Sequence, residues 1–138
     1  MKVIYWSQTG NTQKMAELIA RGIEEGGKKA ELVELANISV ADIKDEEVII
    51  LGSPASGTEE IEETQVEPFV KSLEGNIQGK KVALFGSWGW GEGEYIKELE
   101  ERIKSYGGVM VGESLTVMES PEGEDEDKCV EFGKLIAQ

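Results

Sequence analysis

Short apolar runs alternate along the chain with segments whose apolar positions recur at helical spacing. The runs that predict strands cover residues 2–6, 30–35, 46–52, 80–86 and 108–118. The middle runs are apolar at consecutive positions, and this pattern favours strands of a parallel sheet that is covered on both faces.

Four amphipathic helices are predicted between and after these strands. Apolar residues line one face of the first, and the glycines at 26–27 end it. The four stripes are Met15, Leu18, Ile19 and Ile23; Val66, Phe69, Val70 and Leu73; Ile96, Leu99, Ile103 and Tyr106; and Cys129, Phe132 and Ile136. Residues 37–43 predict only a turn or two of helix.

Strands that alternate with helices predict an α/β fold, a five-stranded doubly wound parallel sheet with helices on both faces. We expect residues 1–138 to form one domain. In such sheets, ligands bind beyond the carboxyl ends of the strands, near a switch in strand order. The first, third and fourth strands lead into unusual loops at Ser7, Ser53 and Ser87, whereas the second does not. This asymmetry predicts one site built from three loops.

The charge balance narrows the range of partners. Fourteen basic and twenty-eight acidic residues leave a net charge of −14. Nucleic acids and anionic membranes would be repelled, whereas basic protein surfaces would be attracted; simple solubility explains the acidity equally well. The chain has no histidine, so Ser-His-Asp and Cys-His chemistry is excluded.

The single cysteine and the absence of targeting signals indicate the compartment. Cys129 cannot form an internal disulfide, and its place on an apolar helical face favours a buried structural thiol. The sequence shows no signal peptide and no apolar run of about 20 residues, the length that spans a bilayer. We therefore expect a reducing, cytoplasmic setting.

The segment SQTGNT, residues 7–12, opens the first helix without any positive charge. Helix N-termini present unpaired N–H groups that bind phosphate without help from lysine. The hydroxyls of Ser7, Thr9 and Thr12 can add hydrogen bonds, and Gly10 lets the backbone approach closely. The segment lacks the GK[ST] and GxGxxG patterns of other phosphate loops. An ordinary Ser/Thr helix cap is the alternative.

Three segments together resemble one family. SQTGNT after an apolar strand resembles the phosphate loop of flavodoxins, [ST]-x-T-G-x-T. GSWGWGEG (86–93) is similar to the second flavin loop of short-chain bacterial flavodoxins, and GSPASGTEE (52–60) to the loop between these two. The resemblance covers essentially the whole chain. It implies the flavodoxin-like strand order 2-1-3-4-5 and flavin mononucleotide (FMN) as cofactor.

The resemblance also implies a role for each loop. The first holds the FMN phosphate through Ser7, Gln8, Thr9, Gly10, Asn11 and Thr12. The loop after the third strand, which is the second of the three in chain order, contacts the flavin ring with Pro54, Ala55, Ser56, Gly57 and Glu59. The Gly57 carbonyl would turn to accept from N5–H, and the Glu59 carboxylate would accept from N3–H. Relatives often carry a methionine where this chain has Ser56. The sequence therefore does not identify the side chain that covers the inner face of the flavin.

The third loop comprises Ser87, Trp88, Gly89, Trp90 and Gly91. By resemblance, Trp90 stacks on the outer face of the flavin, and the glycine N–H groups approach its pyrimidine edge. Trp88 is not assigned to either face. Core packing is the alternative for the two tryptophans, although their glycine-rich surroundings disfavour it.

The implied function is that of a low-potential one-electron carrier. The flavin would shuttle between oxidised, neutral semiquinone and hydroquinone states, and nearby carboxylates would disfavour the anionic hydroquinone. We expect a monomer, without substrate turnover of its own, that donates electrons to redox enzymes with basic docking surfaces.

The same residues bear on three other functions. An FMN-dependent NAD(P)H:quinone-type reductase is the alternative, although Trp90 would cover the exposed ring. A phosphoryl-receiver domain needs acidic residues at strand ends that here read YWS and LGSP. Glu59, Glu60, Glu62 and Glu63 fit no loop that binds a divalent cation, and we expect no metal.

Overall fold

The computed structural model describes residues 1–6, 10–53, 64–88, 94–118 and 121–138, with the backbone alone for Trp88, Glu94 and Met118. Within these ranges the structure contains six strands and four helices. In order they are β1 (Lys2–Tyr5), α1 (Asn11–Glu25), β2 (Glu31–Glu34), β3 (Val48–Gly52), α2 (Val66–Ser72), β4 (Lys81–Trp88), α3 (Glu94–Ser105), β5 (Val109–Met110), β6 (Leu115–Met118) and α4 (Glu124–Ala137). Two 3₁₀ turns, Leu35–Asn37 and Val40–Ile43, connect β2 to β3, which confirms that residues 37–43 hold little helix.

The strands form a parallel sheet in the order β2-β1-β3-β4-β5, so the predicted fold and strand order are confirmed. Val3 lies opposite Ile50, and Ile50 lies opposite Ala83. Every residue of β3 is buried, which is the consequence of a central position with helices on both faces.

Alternate residues of the central strands enter two separate cores. Ile49 and Leu51 pack with the apolar stripes of α2 and α3. Val48 and Ile50 face the opposite way and pack with the stripes of α1 and α4. The period of two along a strand thus divides the core into two layers, one on each side of the sheet.

The edge of the sheet differs from the prediction. Residues 108–118 do not form one continuous strand, because β5 and β6 pair separately with β4. Met110 lies opposite Val82 and Leu115 lies opposite Phe85. The four residues 111–114 therefore span a length that β4 covers with only two residues. Gly112 turns the chain there at φ +67°, and Ser114 donates its backbone N–H to Glu100 Oε1 at 3.2 Å. The glycine within an apolar run was the signal for this interruption.

The predicted helical stripes are confirmed by burial. Met15, Ile19 and Ile23 of α1 are fully buried, and Leu18 is half-buried. The N–H of Gly26 closes α1 by donating to the carbonyl of Gly22 at 2.9 Å, and Gly27 follows at φ +94°. None of the helices in the described ranges is both long and apolar enough to cross a bilayer.

Helices α1 and α4 approach each other closely at two glycines. A Cβ added to Gly22 would lie 2.0 Å from the carbonyl oxygen of Val130. A Cβ added to Gly133 would lie 2.1 Å from the carbonyl oxygen of Ile19. Both contacts are with backbone atoms, which cannot move aside independently of their helix. The seam between α1 and α4 therefore admits only glycine at these positions.

We expect Gly22→Ala to destabilise the apoprotein, although alanine is the better helix former. The gain in helix propensity is about 1 kcal/mol. Forcing the helices apart costs about 1–3 kcal/mol or more, so the clash wins. Urea unfolding followed by circular dichroism measures the difference. The neighbouring Arg21→Ala, on the exposed face, serves as the control and should stay within about 0.5 kcal/mol of wild type. An unchanged midpoint for Gly22→Ala would contradict the close approach.

Candidate functional site

Strands β1 and β3 end side by side at the carboxyl edge of the sheet, next to Phe85 of β4, and β4 continues to Trp88. The N–H of Trp6, just after β1, donates to the carbonyl of Gly52 at 3.0 Å. The N–H of Ser53, just after β3, donates to the carbonyl of Phe85 in β4 at 3.1 Å. The residues that end β1 and β3 therefore lie side by side next to β4, as one site built from these three strands requires.

Helix α1 begins at this edge with a backbone arrangement suited to an anion. Its N-cap is Gly10, in the left-handed region at φ +93°, so no hydroxyl side chain occupies the capping position itself. A Cβ added to Gly10 would meet no atom of the described residues within 4 Å, so no described side chain packs on this side of the residue. The first helical hydrogen bond runs from the N–H of Lys14 to the carbonyl of Gly10, and the preceding N–H groups point along the axis out of the helix.

Hydroxyl groups from two distant segments meet beside this helix end. The Oγ1 atom of Thr12, on the first turn of α1, lies 3.4 Å from the Oγ atom of Ser87 in β4. Both residues are buried. Buried hydroxyls are ordinarily placed where they have hydrogen-bond partners. The contact joins the first and third predicted loops of the site.

A residue that the sequence analysis did not select connects the second and third loops. Tyr95, near the start of α3, is buried, and its hydroxyl lies 2.7 Å from the carbonyl oxygen of Ser53 and 2.9 Å from that of Ser87. The available signal was its place four residues before Leu99 on the apolar stripe of α3. A tyrosine on such a stripe needs a partner for its hydroxyl.

Comparison with known proteins gives the family. The family model described as Flavodoxin matches residues 3–133. The chain is 47% identical to the flavodoxin of Clostridium beijerinckii over 137 residues, which covers 99% of each chain. It is 39% identical to that of Megasphaera elsdenii over 138 residues, which covers 100% of this chain and 98% of the other.

The fold comparison agrees with this result. A solution structure of two-electron reduced Megasphaera elsdenii flavodoxin superposes with a TM-score of 0.89 at 38% identity, covering 99% of this chain and 97% of that one.

The chain belongs to the flavodoxin family. Its cofactor is FMN, and it is an electron-transfer protein, not an enzyme that turns over a substrate.

The described residues fit the phosphate of this flavodoxin cofactor. A phosphate dianion needs several hydrogen-bond donors, and a helix N-terminus next to hydroxyl groups supplies them without a positive side chain. The N–H groups of the first turn of α1 and the buried hydroxyls of Thr12 and Ser87 provide such a set. Lys14, one turn further along, has its ammonium 3.7 Å from Glu126 Oε2.

Many of the site residues implied by the flavodoxin resemblance lie outside the described residues. The structure places Gly10, Asn11, Thr12 and Ser87 at the carboxyl edge. Trp88 is the last residue of β4, opposite Met118, so its backbone belongs to the strand and not to the loop. The residues outside are Ser7, Gln8, Thr9, Pro54, Ala55, Ser56, Gly57, Glu59, Gly89, Trp90 and Gly91, together with Glu60, Glu62 and Glu63.

The acidic balance of this flavodoxin extends to the edge that holds the site. Four consecutive carboxylates, residues 124–127, occupy the first turn of α4, where they also complement the helix dipole. The contact between Glu126 and Lys14 places this turn beside the first turn of α1. On the other side of α1, burial is the largest cause that raises the pKa of Tyr5, and the carboxylates of Glu34 and Glu17 raise it further. The helix start at α1 is therefore flanked by negative potential.

Cys129 takes no part in this site. Its side chain is fully buried in the core between the sheet and α4. Burial first, and then the nearby carboxylates of Asp125 and Glu126, raise the pKa of the thiol to about 12. The thiol is therefore protonated and unreactive at neutral pH. The interpretation of a structural cysteine is confirmed.

Proposed function

We propose that residues 1–138 form a single FMN-binding domain that works as a low-potential one-electron carrier. The observation that carries this proposal is the meeting of the α1 N-terminus with the hydroxyls of Thr12 and Ser87 at the carboxyl edge, next to the central strands. This is the switch point of the sheet, where β1 lies between β2 and β3. The position and the donor set both suit a bound mononucleotide.

In this proposal, residues 7–12 hold the phosphate. The N–H groups of the first turn and the hydroxyls of Ser7, Thr9 and Thr12 replace the water shell of the dianion. Gln8, Gly10 and Asn11 contribute through the backbone of the loop. Because the site uses neutral donors, a strongly acidic chain can hold an anion without a basic patch.

The other two loops would hold the flavin ring. Gly57 supports a peptide that turns its carbonyl towards N5, a movement suited to glycine because it needs positive φ. Glu59 accepts from N3–H, and Pro54, Ala55 and Ser56 complete that wall. Trp90 stacks on the outer face, and Gly89 and Gly91 approach the pyrimidine edge, next to Ser87 and Trp88.

An anaerobic dithionite titration of the purified protein, followed by absorbance, tests the one-electron function. We expect a yellow protein that turns blue after one electron and bleaches only at low potential, because the turned Gly57 carbonyl would stabilise the protonated one-electron state. Direct two-electron bleaching would contradict the carrier mechanism. Rapid oxidation of NADH or NADPH by the protein alone would indicate the reductase instead. Failure to bind added FMN would overturn the assignment of all three loops.

Thr12→Val should weaken FMN binding selectively at the phosphate. The substitution keeps the shape of the buried side chain and removes its hydroxyl. A hydrogen bond to a charged group contributes about 1.5–3 kcal/mol, so the FMN dissociation constant should rise roughly 10- to 100-fold. Riboflavin has the same ring but no phosphate, and its affinity should be almost unchanged. Quenching of flavin fluorescence measures both constants.

Thr12→Ser is the matched control because it retains the hydroxyl. We expect it to bind FMN within a few-fold of wild type. Equal losses of FMN and riboflavin affinity in Thr12→Val would show that the hydroxyl acts on the fold of the site and not on the phosphate.

We propose further that the protein works as a monomer and meets its partners through electrostatic attraction. The net charge of −14 and the carboxylates at 124–127 would draw the basic surfaces of redox enzymes to the edge that holds the flavin. The described residues at this edge supply acidic side chains from both flanks of α1, which supports an approach from the carboxyl side.

Ionic strength tests the electrostatic part of this proposal. The rate at which the reduced protein transfers electrons to cytochrome c, a basic probe, should fall as salt is added. Anionic ferricyanide serves as the control, and its reduction should speed up because salt screens repulsion. A cytochrome rate independent of salt would contradict electrostatic steering.

A further inference from the structure

The hydroxyl of Tyr95 bridges β3 and β4 near their carboxyl ends. It lies between the carbonyl oxygen of Ser53, at 2.7 Å, and that of Ser87, at 2.9 Å. A phenol has one proton to donate, and a carbonyl has none, so the two carbonyls share that proton in a three-centre hydrogen bond. Ser53 directly follows β3, and Ser87 is the last but one residue of β4.

The space for this hydroxyl exists because position 86 is glycine. A Cβ added to Gly86 would lie 2.2 Å from the Tyr95 hydroxyl oxygen and 2.2 Å from the carbonyl oxygen of Ser53. Tyr95 itself is only 1% exposed, so water does not replace the bridge in the folded protein. The hydroxyl can thus contact both carbonyls because Gly86 has no side chain.

The bridge takes over where the regular ladder between β3 and β4 ends. The N–H of Ser53 makes the last described ladder bond, to the carbonyl of Phe85 at 3.1 Å. The Tyr95 hydroxyl holds the Ser53 carbonyl against β4, and it does so from α3, a third element.

We propose that Tyr95 is a positioning residue for the flavin ring. Its hydroxyl sets the separation of the two stems from which residues 54–59 and 89–91 depart, and thereby preorganises the ring pocket. This inference rests on the proposed function, since those segments are the proposed ring-binding loops. A preorganised pocket binds more tightly because less ordering remains to be done when the ligand enters.

The test compares Tyr95→Phe with wild type for both FMN and riboflavin. Removal of the hydroxyl leaves two buried carbonyls without their shared donor and releases the stems. The ring pocket is common to both flavins, so both dissociation constants should rise by a similar factor, about 10-fold. This outcome is distinct from that of Thr12→Val, which should affect FMN alone. The first-electron potential, measured by redox titration, should also shift.

Tyr106→Phe is the matched control. The hydroxyl of Tyr106, just beyond the other end of α3, accepts from Arg102 Nη2 at 3.2 Å, far along the helix from the carboxyl edge. The same atom is removed from the same residue type, so a general loss of stability at α3 would appear in both variants. Flavin affinity should change only in Tyr95→Phe.

Restoring a donor provides the converse test. Incorporation of 4-aminophenylalanine at position 95 returns an N–H group to the place of the hydroxyl, and flavin affinity should recover most of the loss. If Tyr95→Phe does not fold, Gly86→Ala serves instead, because its methyl group would push the Ser53 carbonyl and the Tyr95 hydroxyl away from β4. A folded Gly86→Ala variant should lose affinity for both flavins together.

Wild-type affinity for both flavins and an unchanged potential in Tyr95→Phe would overturn the inference, even if its thermal stability fell. Tyr95 would then stabilise the fold alone. A wild-type protein that bound neither flavin would overturn the proposed function itself. The two failures are therefore distinguishable by the wild-type measurement.

Discussion

The site depends on the in-register hydrogen bonding of β1, β3 and β4. Backbone bonds from Trp6 to Gly52 and from Ser53 to Phe85 carry the ladder past the last residues of β1 and β3. Segments far apart in sequence consequently emerge side by side. The alignment also requires small residues, since a Cβ on Gly52 would lie 2.2 Å from the ring of Phe85. The ring of Phe85 therefore packs against the backbone of Gly52, its partner on the neighbouring strand.

In the proposed function, uncharged hydrogen-bond donors bind the phosphate of FMN, so a strongly acidic chain can hold an anionic cofactor. Lysine or arginine at the phosphate would create a local basic patch in a protein of net charge −14. A helix start with Gly10 and buried hydroxyls supplies donors while it leaves the surrounding potential negative. The acidic first turn of α4 beside Lys14 extends that potential. In the proposed function, the same surface holds a dianion and attracts basic partners.

The described supports of the site lie behind its loops, in the helices and the central strands. The glycine contacts between α1 and α4 fix the helix whose N-terminus lies at the carboxyl edge of the sheet. Tyr95 ties α3 to the ends of both central strands. A binding site made of loops needs such support, because each unsupported loop would have to be ordered at the moment of binding.

Features that depend on neighbouring residues were predictable from the sequence. The helical stripes, the apolar central strands and the glycine ends of α1 follow from periods of 3.6 and 2 and from local turn chemistry, and the three loop motifs carried the family and its cofactor. Some local signals were misjudged, as at Gly112, where an apolar run is split into two strands.

What only the tertiary structure decided depends on distance in space. The contact of Gly22 with Val130, the meeting of Thr12 with Ser87 and the hydroxyl bridge of Tyr95 each join residues from different elements. The sequence by itself determined the fold, the helices and the central strands, because these arise from periodicity and short motifs. The supports of the site were settled by packing, because no local pattern specifies which atom of a distant element a buried side chain will meet.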